Sequence, residues 1–278
     1  MSEPATSTEG TEPTAGAAPA EGGPTEPEAD VRMTIWEHLA ELRGRLVRAG
    51  AAVAIGATVV WMYKDTVLGM LIRPYEKLWN ERFPKIPLEL QTLAPADVFV
   101  NYMQMSIVGG IVLSVPVIFY QLWSFISPGL YAREKRYVIP FVLFSTILFL
   151  SGVSFAYYVA FPFFFSYFFS LLGKIGNDTF LTSRPTMESY LDFAERMLLV
   201  FGIIFELPLF IGFMSLAGIV TTKQLIKFTR WAILISAISG AIITPGSEVT
   251  SMLVVTAALV GLYILSIGVS FLVAKKRA

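Results

Sequence analysis

The chain has 278 residues, of which 55% are hydrophobic and only 15% charged, against about 25% charged in an ordinary soluble domain. A mean hydropathy of +0.64, with the apolar residues gathered in long runs, places it among polytopic all-α membrane proteins. Zero net charge gives no sign of nucleic-acid binding, the lack of cysteine excludes disulfides, zinc–thiolate sites and thiol nucleophiles, and the lone His38 builds no histidine metal cluster.

Residues 1–31 are rich in Pro, Ala, Gly, Thr and Glu, with seven acidic residues and no Lys or Arg. They read as a disordered acidic tail with no role beyond solvation, and they lack the basic start and apolar core of a signal peptide. Thr34 and Glu37 then have the spacing of a capping box. Ile35, Leu39, Leu42 and Leu46 form one helical stripe, with Glu37, Glu41, Arg45 and Arg48 opposite. Glu41 and Arg45 make a favourable i,i+4 pair. This charged amphipathic helix leads directly into the first span, 46–63.

A polar stretch, 64–97, carries Pro74, Pro84, Pro87 and Pro95 and reads as a structured loop with at most short helices. The second span, 98–123, contains Gly109, Gly110 and Pro116. A basic hairpin follows at 127–136, then a third span at 137–160 ending on Phe161-Pro162. Aromatics at 163–169 open a second outer loop, and the aromatic run 161–169 reads as an interfacial belt. The fourth span, 191–220, holds Glu206 and Pro208. The fifth, 228–243, offers only about 24 Å of helix at 1.5 Å per residue, short of a bilayer core of about 30 Å. Residues 244–248 turn the chain into the sixth span, 249–273, and a basic tail ends it at 275–278. The organisation is thus an acidic tail (1–31), a six-helix membrane domain (32–274) and the basic tail. Even-numbered spans put both termini on one side, and 13 of the 21 Lys and Arg residues fall on that side, which is the cytoplasmic one by the positive-inside rule.

Chemistry-bearing residues are few. Glu206 reads as the only acidic residue deep in a span. An intramembrane charge is costly unless it faces protein or water. It is either a protonated or hydrogen-bonded group locking helices beside the Pro208 kink, or a polar contact that draws water or a partner helix into the membrane. No second intramembrane acid accompanies it as a relay would require. Glu134, inside the basic hairpin, reads from its neighbours as an ion pair with Arg133 or Arg136. His38 reads as a polar residue near the headgroups. No phosphate loop, catalytic triad, paired acids or metal-binding motif appears, so no enzymatic activity, cofactor or metal is expected.

Several separated motifs resemble the TatC family of the twin-arginine protein translocase. They are His38-Leu39-x-Glu41-Leu42-Arg43-x-Arg45-Leu46, Phe125-Ile126-Ser127-Pro128-Gly129-Leu130-Tyr131-x-x-Glu134-Lys135-Arg136, Phe161-Pro162, Phe205-Glu206-Leu207-Pro208 and Thr244-Pro245. The resemblance covers about residues 33–273. It departs at the last outer turn, where the family's Thr-Pro-Pro-Asp is replaced by Thr244-Pro245-Gly246-Ser247 with the acid displaced to Glu248.

The resemblance implies six kinked transmembrane helices in a concave, cup-like arrangement with a short fifth helix. It implies a receptor that binds twin-arginine signal peptides at the cytoplasmic face. It further implies single-span partners of the TatA and TatB type, a homo-oligomeric receptor complex in the cell membrane, and export of folded proteins driven by the proton-motive force. Glu41 and Glu134 match the family's two receptor carboxylates, and Leu42, Arg43, Arg45 and Phe125 match the patch around them; Glu206 stands, from its place in the span alone, as the candidate intramembrane polar or partner contact. Two alternatives stand beside this reading. A small-solute secondary transporter lacks the expected internal repeat and paired interrupted helices, and an intramembrane protease lacks a Ser-His pair or paired acids in its spans.

Overall fold

Six helical stretches are long and apolar enough to cross a membrane among the described residues of the computed structural model, which are 35–126, 138–175, 179–181, 183–243 and 249–275. The expected acidic tail, Thr34 of the capping box, the basic hairpin with Glu134, the turn with Glu248 and the last three residues lie outside them. The elements in order are α1 (Ile35–Met62), α2 (Lys64–Arg82), α3 (Pro95–Ile126), α4 (Val138–Phe155), a π-helical segment (Ala156–Ala160), α5 (Phe161–Ser170), the strands β1 (Gly173–Ile175) and β2 (Thr179–Leu181), α6 (Met187–Ile204), α7 (Leu207–Leu216), α8 (Thr222–Ile243) and α9 (Val249–Lys275). We call the side where α1 begins the near side and the other the far side.

α1 packs on α3, α3 on α4 and α6, and α9 on both α7 and α8. This kinked, concave row encloses its members unequally. The fourth span buries 39% of its apolar window and the first only 11%, so α1 presents most of its surface outward. Backbone contact sets the α1–α3 register. A Cβ on Gly110 would stand 2.5 Å from Ala57 N, and one on Gly56 2.8 Å from Gly110 O. Ser114 Oγ donates to Ala52 O at 2.8 Å.

The stretch 64–97 is a correction to the sequence reading. Instead of a loop with short helices it contains the 19-residue α2, with Pro74 inside it. An interior proline leaves the carbonyl four residues earlier without its N–H partner. Here Tyr157 Oη donates to Met70 O at 2.6 Å, and Tyr190 Oη donates to the next carbonyl, Leu71 O, at 2.6 Å. Hydroxyls distant in sequence thus satisfy the backbone around the proline, and α2 lies across the far side as a roof. Trp79 Nε1 donates to Ile86 O at 2.8 Å. Gln91 fastens the following loop to the start of α6, donating to Pro185 O at 3.0 Å and accepting from Met187 N at 2.8 Å.

The aromatic run is the second correction. The third span does not stop at Ala160 but continues through the π segment to Ser170. Phe161 N donates to Ala156 O, an i→i−5 bond, and Pro162 falls in the first turn of α5, where its missing N–H costs little. Phe161, Phe164, Phe165 and Phe169 are buried against Tyr75, Trp79 and Tyr190, so they form the core under the roof rather than a lipid-facing belt. A two-stranded antiparallel hairpin, Gly173–Ile175 with Thr179–Leu181, follows.

The fourth span is interrupted at Phe205-Glu206, and α7 restarts with Pro208 in its first turn. α8 begins at Thr222, six residues before the expected fifth span. Thr221 and Gln224 cap it reciprocally, with Thr221 N donating to Gln224 Oε1 at 2.8 Å and Gln224 N to Thr221 Oγ1 at 3.4 Å. Its opening turns carry Lys223 and Lys227, so hydropathy alone starts the span later. α8 holds 22 residues and α9 27.

Candidate functional site

On the near side, the antiparallel α1–α3 register carries the start of α1 alongside the end of α3. The His38 and Phe125 rings stack at 4.4 Å between centroids, joining two of the sequence motifs. One turn further along α1, Arg45 donates to Glu41 Oε1 from both Nε (3.0 Å) and Nη2 (2.5 Å). The other carboxylate oxygen, Glu41 Oε2, is shielded and has no hydrogen-bond partner among the described residues. Leu39, Leu42 and Leu46 are exposed, as is Arg43. Glu41, Arg45 and Phe125 therefore share one end of the α1–α3 pair, with Leu42 and Arg43 turned outward beside them.

Glu134 lies outside the described residues. The ends that its segment joins are neighbours: Trp123 near the end of α3 stacks on Phe141 in the first turn of α4 at 4.7 Å, and Trp123 Nε1 donates to Ser145 Oγ at 2.9 Å.

Glu206 occupies the break between α6 and α7 and is half-buried. Its side chain is directed toward Ser145 and the Phe149 backbone of α4, and Oε1 has no partner among the described residues. The break sits beside tight helix contact: a Cβ on Gly202 would stand 2.6 Å from the Phe149 ring. A carboxyl with one satisfied end in such a place can receive a donor from outside the chain.

Three hollows of about 300 Å³ among the described residues lie instead on the far side, around Trp79, Phe168 and Arg82. None includes Glu41, Phe125 or Glu206. Reading the sequence missed the most enclosed carboxylate among the described residues. Glu195, within the expected fourth span, is 3% exposed, and Asp192 stands three residues before it. Glu206 is therefore not alone among intramembrane acids, and the spans do contain an acid pair. The signal was the i,i+3 spacing of two carboxylates in an apolar helix, masked by their nearness to the expected loop boundary.

Comparison with known proteins gives a consistent result. A family model described as TatC, Sec-independent protein translocase protein, matches residues 37–257. The Sec-independent protein translocase protein TatC of Desulforapulum autotrophicum is 39% identical over 217 residues, spanning 78% of this chain and 77% of that one. The protein of the same name from Koribacter versatilis is 36% identical over 250 residues, spanning 90% and 89%. A crystal structure of the twin arginine translocase receptor TatC superposes with a TM-score of 0.71 at 32% identity, covering 85% of this chain and 99% of that one.

Proposed function

The chain belongs to the TatC family of Sec-independent protein translocase proteins, and from that membership we propose that it is the receptor for twin-arginine signal peptides. It is a multi-pass membrane component of a protein translocase, not an enzyme, and it works with protein partners of that system. In the proposed reading the near side is cytoplasmic, both termini lie there, and the signal peptide docks on the patch at the start of α1.

The observation that carries the reading is the half-used carboxylate of Glu41. Oε1 is held by Arg45, while Oε2 is shielded and unpartnered. A guanidinium presents paired N–H groups in a planar fork that matches a carboxylate. An arginine of the signal peptide takes Oε2 and competes with Arg45 for Oε1, and Glu134 takes the second arginine. Phe125, braced by His38, and exposed Leu42 give the neighbouring apolar residues of the peptide a surface. Arg43 and Arg45 keep the resting patch closed to other cations. Glu206 offers its unpartnered oxygen to a single-span partner of the TatA or TatB type within a homo-oligomeric receptor complex. Folded cargo then crosses at the expense of the proton-motive force.

The test is site-specific photocrosslinking from positions 41 and 134 to a signal peptide bearing Arg-Arg or Lys-Lys. The reading expects adducts with Arg-Arg at both positions and strong reduction with Lys-Lys. Equal labelling by both peptides, or wild-type binding and export by both Glu41→Ala and Glu134→Ala, rejects the carboxylate assignment.

A further inference from the structure

Glu195 is nine-tenths or more buried, yet neither of its carboxylate oxygens has a hydrogen-bond partner among the described residues. Gln104 of α3 lies alongside it and donates through Nε2 to Asp192 Oδ1 at 2.7 Å. Asp192 shares the helix face of Glu195, and its charge is felt there. On α3, three residues before Gln104, Asn101 is 5% exposed and its Nδ2 is also unpartnered. By helical rise these four residues lie about 7–14 Å inside the far ends of α3 and α6. They sit beneath the α2 roof, which Tyr190 ties down through Leu71 O.

An ionised carboxylate in a packed core, with a second carboxylate three residues away on its helix and no cation paired to it, is strongly disfavoured. The ion pairs among the described residues are Glu41–Arg45 and Lys64–Asp65, so neither Glu195 nor Asp192 has one. The other titratable groups on the elements packed around α6 are occupied or remote. Tyr102 of α3 donates to Asp65, and Asp97 accepts from Ala94 N. In the π segment Tyr157 donates to Met70 O and Tyr158 is exposed. On α2 Tyr75 is turned to Ser183, while Arg73, Glu76 and Lys77 are exposed; on α6 Tyr190 is bonded to Leu71 O and Glu188 and Arg196 are exposed; α4 carries no titratable residue. Tyr120 belongs to the near half of α3 and Tyr167 to the last turn of α5. Among the described residues no three His, Cys, Asp or Glu gather to hold a metal ion, and hard divalent cations need about six oxygen ligands. The ligand that fits the enclosed Glu195 carboxylate is a proton.

We propose that Glu195 is a proton-binding site in the far half of the membrane, with Asp192 three residues before it on the same helix face and Gln104 holding Asp192 in place. In the receptor reading, the far side is the one from which the proton-motive force drives protons. The site itself does not depend on that reading and is tested without transport.

The experiment is infrared difference spectroscopy of the full-length protein in lipid vesicles near neutral pH, wild type against Glu195→Gln. The proposal expects one protonated-carboxyl band to be lost in the variant, and that band in the wild type to shift in D2O. Spectra without such a lost band overturn it. Should Glu195→Gln fail to fold, Asp192→Asn carries the test. The Glu195 band then remains but changes frequency because its neighbour has changed, whereas loss of the band assigns it to Asp192 and overturns the proposal. Exchange of choline chloride for sodium chloride leaves the band in place, and a band abolished by sodium assigns the site to a metal cation and overturns the proposal.

Discussion

On the far side, Trp79 is 2% exposed and sits among aromatic rings contributed by α2, α5 and α6, whereas on the near side Leu39, Leu42 and Leu46 of α1 lie open to the surroundings. The far side is held by side chain to backbone bonds that cross the fold, from Tyr157, Tyr190 and Trp79. Among the described residues, its near-side counterpart at the start of α1 has one ring stack and one ion pair, and that pair is local, four residues apart. The difference separates two tasks. Among the described residues, packing that fixes the helices is concentrated at the end away from the candidate site, which leaves that site shallow.

The largest effect expected from this contrast is on stability. Trp79→Ala removes a buried ring and its bond to Ile86 O, and should destabilise the protein by about 3–5 kcal/mol, read as a lower midpoint in thermal or denaturant unfolding in detergent. Leu42→Ala, on the open near side, should leave the midpoint almost unchanged. If the two variants unfold alike, stability is not concentrated on the far side and the division of labour fails.

Glu41→Gln probes the other half of the comparison. It keeps the shape of the side chain and removes the charge that two guanidinium groups would share. A charge-assisted bond contributes about 1.5–3 kcal/mol, reduced at a partly exposed site. Binding of a twin-arginine peptide should therefore weaken about tenfold, with unfolding unchanged. A loss of stability equal to the loss of binding would instead make Glu41–Arg45 a structural pair.

The near-side features were legible because they are local. The i,i+4 spacing of Glu41 and Arg45 is enough to pair them, and long apolar runs are enough to place six spans. α2 was not legible. Pro74 argues against a helix in any reading of its own neighbourhood, and the hydroxyls that compensate come from Tyr157 and Tyr190, 87 and 119 residues away from the carbonyls they reach. The same distance hid the aromatic core: Phe161–Phe169 looks like a belt until α2 is laid over it. Glu195 was hidden by a boundary, since an acid near the start of an apolar window reads as the edge of a loop. The stacking of Phe125 on His38 needed the α1–α3 register, which rests on backbone contact at Gly56 and Gly110 and has no signature beyond the glycines themselves.

Tyr157→Phe tests whether the bond across the proline is structural. It deletes only the hydroxyl that satisfies Met70 O, and should cost about 0.5–1.5 kcal/mol, with a further effect if combined with Tyr190→Phe, because both serve neighbouring carbonyls of one turn. Strict neutrality of the double variant would show that the backbone around Pro74 finds other partners.

The smallest effect is confined to alkaline solution and also belongs to the roof. Burial pushes the Tyr75 hydroxyl from its ordinary value of 10 up to about 12, opposed by its bond with Ser183. The sign follows from which state loses the proton first. Below about pH 10 both folded and unfolded chains keep it and its contribution to stability is complete. Above that, the unfolded chain ionises while the folded chain does not, so stability falls as pH rises toward 12. Tyr75→Phe should be less sensitive to pH over this window than the wild type, measured as the change in unfolding midpoint between pH 9 and pH 11 at fixed ionic strength. The same variant should leave signal-peptide binding on the opposite side untouched. A parallel loss of binding would mean that the rigid far side also sets the geometry of the near one.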